Sequence, residues 1–261
     1  MELNQKKQAI LSELVVMSRN LGAEKDFVIL GEGNTSARCN ETTFFVKASG
    51  SRLGGINEQG FVEVDFASVL NLLEKGEADD EEIAACLKAA KIDQAHPAPP
   101  SVETLFHALL LSQPGVNFVG HIHPVTLNGL LCSVRSREIF SGRLLPEEIV
   151  VLGPEPGYVV YRDPGLPLAR EIEKVLAEYQ AKWQTPPKCL LMENHGLVAL
   201  GGTPQEVESI CAMGEKAARI MLGAILAGGP RYLTAEQAER IHVRPDEEAR
   251  RKRLREEKPC K

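Results

Sequence analysis

Apolar residues Ile10, Leu14, Met17 and Leu21 recur at steps of four and three and end at Gly22, the pattern of one buried helix face with a glycine stop. Phe27 to Leu30 is a short apolar run that predicts a strand, followed by a loop over Gly31 to Ser36. Ala37 to Ser49 carries β-favouring residues Thr42 to Val46 beyond a turn at Asn40 and predicts a hairpin or meander; Phe61 to Asp65 alternates as a further strand. Ala67 to Glu74 predicts a helix, and Glu77 to Glu82 an exposed acidic stretch. His96-Pro-Ala-Pro-Pro100 interrupts any regular element. Ser101 then reads as the N-cap of a helix with Val102, Leu105, Phe106 and Leu109 on one face, ending near Gln113-Pro114-Gly115.

Val116 to His121 predicts a strand, and Pro124 suits the first turn of a helix, so His121-Ile122-His123 falls where a strand gives way to a helix. Ile149 to Leu152 and Tyr158 to Tyr161 read as strands, whereas Leu168, Ile172, Val175, Leu176 and Tyr179 mark a helix. Two strands, Lys188 to Glu193 and Leu197 to Leu200, flank Asn194-His195-Gly196. Thr203-Pro-Gln-Glu206 is a capping box for a long helix with Val207, Ile210, Cys211, Gly214, Ala218, Met221 and Ile225 inward, stopped by Gly228-Gly229-Pro230. Strands and helices mix without strict βαβ alternation and no composition break divides the chain, which predicts one mixed-sheet domain covered by helices. The last ~25 residues are expected to form an appendage or a subunit contact.

Composition narrows the class. The chain has 261 residues, 43% of them hydrophobic, and a formal net charge of -6. That acidic balance speaks against a nucleic-acid footprint, and the one basic cluster, Arg250 to Arg255, is interleaved with glutamates as in a solvated helical end. No apolar run reaches the ~20 residues of a membrane span. The polar start, Met1 to Gln8, is unlike a secretory signal, so the expected compartment is the cytoplasm. Six scattered cysteines without CxxC spacing predict mostly buried, reduced thiols.

The candidate chemistry is concentrated in a few residues. Side chains two apart on a strand share a face, so His121 and His123 can present two imidazoles to one cation, and His195 offers a third from another strand-end turn. Three neutral imidazoles hold zinc while leaving a coordination position for substrate or water. Glu103 stands in a first helical turn, where a carboxylate by itself does no more than favour the helix dipole; His107, four residues on, shares its face and reads as structural, as do His96 and His242. The loops Gly31 to Ser36 and Ala48 to Ser51 offer backbone N–H groups, an amide and hydroxyls able to cradle an anion.

Five ordered blocks, Gly33-Asn-Thr-Ser36, Ser49-Gly50, Pro100-Ser-Val-Glu103, Gly120-His-Ile-His-Pro124 and Glu193-Asn-His-Gly196, resemble the class II aldolase and adducin head-domain family, typified by L-fuculose-phosphate and rhamnulose-phosphate aldolases. The resemblance covers roughly residues 5 to 225. It implies an α/β fold: a single three-layer α/β/α domain with a central, mainly antiparallel sheet over residues 1–230, and residues 231–261 as a helical or flexible charged appendage. It also implies a homotetramer with sites near subunit boundaries.

By the same resemblance His121, His123 and His195 would ligate Zn2+ or another divalent transition metal, and Glu103 would be the catalytic acid/base. Asn34, Ser49, Gly50 and Ser101 match positions that hold a substrate phosphate, although Val102 stands where small aldolases often carry a second serine. No tyrosine matches the catalytic residue that a neighbouring subunit supplies in the family. The implied activity is that of a lyase of carbohydrate metabolism, an aldolase cleaving a ketose 1-phosphate to dihydroxyacetone phosphate and an aldehyde through a zinc-stabilised enediolate. The implied partner is a small sugar phosphate. Epimerases, dehydratases and decarboxylases of sugar phosphates share the resemblance, but the epimerases tend to carry Asp in place of Glu103. Adducin-like interaction heads have lost the metal histidines that this chain keeps.

Overall fold

The structure is a computed structural model describing residues 2–75 and 78–247, with backbone only for residues 2 and 3. The first half comprises α1 (Glu2–Ala23), β1 (Asn34–Arg38), β2 (Thr43–Lys47), β3 (Phe61–Asp65), α2 (Phe66–Glu74), α3 (Asp80–Ala89), α4 (Thr104–Leu111) and β4 (Phe118–Ile122). The second comprises α5 (Val125–Leu131), α6 (Ser136–Ile139), α7 (Pro146–Leu152), β5 (Gly157–Val159), α8 (Leu166–Trp183), β6 (Cys189–Met192), β7 (Gly196–Gly201), α9 (Pro204–Leu226) and α10 (Ala235–His242).

The seven strands form one sheet in the order β3-β2-β1-β4-β7-β6-β5, antiparallel throughout except for the β5–β6 pair. Strand alternation divides the core. Phe44, Val46, Val198 and Leu200 face a layer made by α2, α3, α4 and α8, while Phe45, Leu197 and Ala199 face α1, α5 and α9 on the other side. With both faces covered, β2, β4, β6 and β7 read as almost unbroken apolar runs, whereas β1 is mostly polar, Asn34-Thr-Ser-Ala-Arg38. This is the three-layer, mainly antiparallel α/β/α arrangement expected from the motif blocks.

α1 continues through Ala23, so Gly22 lies inside its last turn and not beyond it. The reason for a glycine there is close packing: a Cβ at Gly22 would sit 2.1 Å from Gly54 N and 2.5 Å from the Leu53 carbonyl carbon. Backbone cannot yield as a side chain can. Helix propensity alone would make Gly22→Ala stabilising by about 1 kcal/mol, but overpacking costs about 1–3 kcal/mol. The expected outcome is a lower urea midpoint with an unchanged slope.

Several sequence expectations are corrected. Phe27–Leu30 is a turn, not a strand: Leu30 has φ of 54° and the Ile29 N–H is taken by the Glu32 carboxylate at 2.6 Å. Both sides of β1 are already occupied, by β2 and β4. Ile149–Leu152 is the end of α7 rather than a strand; a four-residue apolar run carries no periodicity to separate the two, and Pro146, at the first helical position, tips the choice. β5 stops at Val159, short of Tyr161.

Within the acidic stretch, Asp79 and Glu82 form a capping box that opens α3. Ser101 is not the N-cap of α4; Glu103 is, and the Ser101 hydroxyl instead accepts from the Glu103 N–H at 3.3 Å. At the start of α9, Thr203 accepts from Glu206 N–H, but the Glu206 carboxylate reaches Gly202 N–H and not Thr203, so the box is only half formed. Cys39, Cys189 and Cys211 are buried, Cys86 is half-buried and Cys132 is exposed. The basic cluster, Arg250 to Arg255, and Cys260 lie outside the described residues. Beyond α9 the Leu233 N–H bonds to Arg143 O, and Ile241 of α10 closes a small satellite core with Ile149 and Val150. Among the described residues no helix is long and apolar enough to cross a membrane.

Candidate metal and acid-base site

The site lies where β4 ends beside the start of its antiparallel neighbour β7. His121 pairs with Asn34 of β1 on one side and Val198 of β7 on the other. His123 follows two residues on, in the turn that Pro124 caps into α5. His195 occupies the tight β6–β7 turn, whose preceding residue Asn194 has φ of 53°. The three rings converge edge to face, with centroids 4.7, 4.8 and 5.3 Å apart. Gly196 makes that convergence possible, since a Cβ there would lie 2.9 Å from His123 Cδ2 and 3.1 Å from His121 Cε1.

One nitrogen from each ring falls within 4.8 Å of the others, the spacing of ligands around one ion. His121 Nδ1 donates to Leu197 O at 3.0 Å, and His123 Nδ1 faces Glu32 Oε2 at 3.3 Å. Both rings therefore turn Nε2 to the centre, 3.0 Å from each other. Burial holds the His121 imidazole well below its ordinary pKa and lowers that of His123, which favours the neutral form that binding a cation requires. Three imidazole nitrogens with an adjoining carboxylate fit a catalytic zinc or a similar ion.

Glu103 reaches this centre from the start of α4. Its Oε1 is 3.2 Å from His195 Nε2 and its Oε2 3.7 Å from His121 Nε2. Burial alone would raise the carboxyl pKa, but His121, the His195 hydrogen bond and the Asn34 amide outweigh it and hold Glu103 below the usual carboxylate range. Phe106 places its ring edge-on to His121 at 5.9 Å and closes the apolar wall behind the site.

A buried relay runs away from Glu103. Asn34 and Ser36, two apart on β1, are spaced by about 6.7 Å, close to the ~6 Å rise between Glu103 and His107 on α4. The two elements therefore meet in register. Asn34 Nδ2 donates to Glu103 Oε2, Asn34 Oδ1 contacts His107 Nε2, and His107 Nδ1 meets Ser36 Oγ at 2.6 Å. The ionised carboxylate sets the direction, because it accepts only: Asn34 turns its NH2 to Glu103, His107 donates from Nε2, and Ser36 donates to Nδ1. Burial pushes the His107 pKa down to about 4, which keeps the ring neutral as this order requires. The His107 ring thus meets the Glu103 carboxylate through Asn34, not directly.

Of the four residues matched to phosphate binding, three gather. Ala48 bridges to Pro100, Ser49 N–H donates to Pro99 O, and Ser101 N–H donates to Lys47 O, which brings Ser49, Gly50 and Ser101 to one rim. Asn34 stands apart from them in its bonding, its amide engaged at both ends by Glu103 and His107. Lys47, which the motif reading passed over, is only 4% exposed and donates to Gly31 O at 3.1 Å. Burial pushes its pKa down and the Glu103 carboxylate pulls it back up. Val102 is exposed beside Gly165, at 3.6 Å from where a Cβ on that glycine would stand.

The profile of the Class II Aldolase and Adducin N-terminal domain matches residues 12–222, most of the described chain and every residue of this site. The chain belongs to that family. The class II aldolase and adducin chain is 30% identical over 203 residues to the uncharacterized oxidoreductase YuxG of Bacillus subtilis (strain 168), covering 75% of this chain but only 27% of that protein. It is similar to the N-terminal class II aldolase domain of a conserved Thermoplasma acidophilum protein, with 27% identity, a TM-score of 0.64, and 80% of this chain and 92% of that one covered. The L-fuculose-1-phosphate aldolase of Thermus thermophilus shares the fold at 18% identity and a TM-score of 0.58, with 85% and 98% covered.

Within this class II aldolase and adducin chain, the residues that motif reading missed are Lys47 and Glu32, together with the contacts of His107 with Asn34 and Ser36. A signal existed for Lys47: a lysine that ends the apolar run Thr43-Phe-Phe-Val is costly to bury without a task. No comparable sequence signal marks Glu32. His96 and His242 stay outside the site, the first bonded to Gln59 O and Ala98 O, the second packed against Trp183.

Proposed function

We propose that the chain is a metal-dependent aldolase that cleaves a ketose 1-phosphate to dihydroxyacetone phosphate and an aldehyde. The observation that carries the reading is the meeting of three imidazole nitrogens with a carboxylate 3.2 Å from one of them. His121, His123 and His195 would hold the ion, which when bound supplies Lewis-acid stabilisation of the charge that develops on the ketose oxygens. Glu103 moves the proton: in cleavage its carboxylate takes up the proton given up by the substrate hydroxyl that becomes the aldehyde and delivers it to the carbon left by the broken bond. In the addition direction it removes that proton from carbon and returns it to the new hydroxyl. Asn34 and His107 fix its carboxylate, and the wall of Phe106 limits water. Ser49, Gly50 and Ser101 hold the phosphate with Lys47 nearby as the cation, which orients the reacting carbons over Glu103. In the same reading residues 1–230 are the catalytic domain, 231–261 an appendage, and the assembly a homotetramer.

The test is a screen of zinc-loaded protein against ketose 1-phosphates and their unphosphorylated forms, assayed for dihydroxyacetone phosphate. Wild type should release it, and Ser101→Ala should raise KM for the phosphorylated substrate selectively, by about 1–3 kcal/mol for a lost bond to a charged acceptor. Conversion of a sugar phosphate to its epimer without release of a three-carbon fragment would replace the aldolase reading while keeping the site.

A further inference from the structure

Glu32 lies between two glycines in a loop that the mechanism leaves without a task. Its side chain is one-third exposed, yet both oxygens are engaged: Oε1 accepts from Ile29 N–H at 2.6 Å and Oε2 faces His123 Nδ1 at 3.3 Å. The same loop is fastened around His123 at other points. His123 N–H donates to Phe27 O and Val125 N–H to Asp26 O, each at 2.9 Å, while Lys47 holds Gly31 O. The Glu32 carboxylate is thus delivered to His123 by a bracket that grips the histidine on its backbone side as well.

We infer that Glu32 is a positioning residue that locks His123 in the Nδ1–H tautomer and thereby sets the metal affinity of the three-imidazole centre. The inference rests on the metal site of the proposed function, though not on which reaction it performs. A carboxylate only accepts, so the nitrogen facing it must carry the proton, and the lone pair is left on Nε2, which points at His121 Nε2. His121 reaches the same state through a backbone carbonyl, Leu197 O. His123 depends instead on a side chain that substitution can change. A carboxylate partner also makes the imidazole a more basic ligand than a carbonyl does.

A bland alternative gives Glu32 only the Ile29–Glu32 turn to close. The two roles separate in Glu32→Gln. Glutamine has one oxygen where glutamate has two. If that oxygen stays on Ile29 N–H, the amide NH2 faces His123 Nδ1, turns it into an acceptor and moves the ring proton to Nε2, where it blocks the ligand lone pair. Turn closure survives the substitution and ligation suffers.

The experiment measures Zn2+ affinity by chelator competition for wild type, Glu32→Gln and Glu32→Ala, with thermal unfolding of each metal-free protein and 15N NMR of the His123 ring in metal-free wild type. The expected results are a 10–100-fold loss of zinc affinity in Glu32→Gln with little change in metal-free stability, and the Nδ1–H tautomer in wild type. Equal zinc affinity in wild type and Glu32→Gln, or an Nε2–H tautomer in wild type, overturns the inference while leaving the metal site standing. Wild type that binds no divalent metal removes both. Should a variant fail to fold, the wild-type tautomer decides alone.

Discussion

Glu103→Gln is expected to keep its fold and its zinc and to lose about 10²–10⁴-fold in turnover, the usual contribution of a general acid or base. The amide is nearly isosteric and can still accept from Asn34 through its oxygen, so the buried relay to His107 and Ser36 is not disrupted. Its NH2 then faces His195, where wild type has an oxygen 3.2 Å from Nε2. What is lost is the ability to take up and release a proton. Exchange of the dihydroxyacetone phosphate carbon-bound hydrogen with deuterated solvent isolates that step without requiring the full reaction. Undiminished exchange in the variant would leave Glu103 with nothing beyond its place at the start of α4.

Removing the ion is the second large effect. Treatment with a chelator should abolish turnover, and added zinc should restore it. His123→Ala should weaken zinc binding by more than the 10–100-fold that loss of an outer hydrogen-bond partner costs, because a ligand itself is gone. The fold should survive, since the two apolar layers that bury the sheet are built without any of the three histidines. Metal-free protein then unfolds at a lower temperature only to the extent set by the linkage of binding to folding. Elemental analysis alongside circular dichroism checks both parts. Full activity in protein shown to be free of metal would end the metal-dependent reading.

How much of this was legible in the chain depends on the range of the interactions. The long helices α1, α8 and α9 announce themselves because their apolar positions repeat with a helix period, β3 because its residues alternate, and β2, β6 and β7 as short apolar runs bounded by turn residues. The His121/His123 pair is legible because two residues apart along extended chain share a face, and the alternation of β4 carries over to His123, one residue past the strand's end. α7 was not, because Ile149-Val-Val-Leu152 has the composition of a strand and too few residues to show a helical period. Asn34 was matched by motif to an anion, yet its bonding follows from the register of β1 against α4, a relation between segments that neither segment encodes by itself. Glu32 is the extreme case. Its partner lies across the fold, and only the path of the 26–32 loop brings them together.

The strand order has a consequence for how the centre comes into being. Asn34 pairs with His121, and His121 with Val198, so the three central strands meet only when distant parts of the chain have closed on one another. Closures of that length are entropically slow and contribute little until they are complete. In the unfolded chain only His121 and His123 are near neighbours, a weak two-point grip for an ion. The three imidazoles come together only in the finished sheet, so an ion held by them is expected to slow unfolding more than it speeds folding.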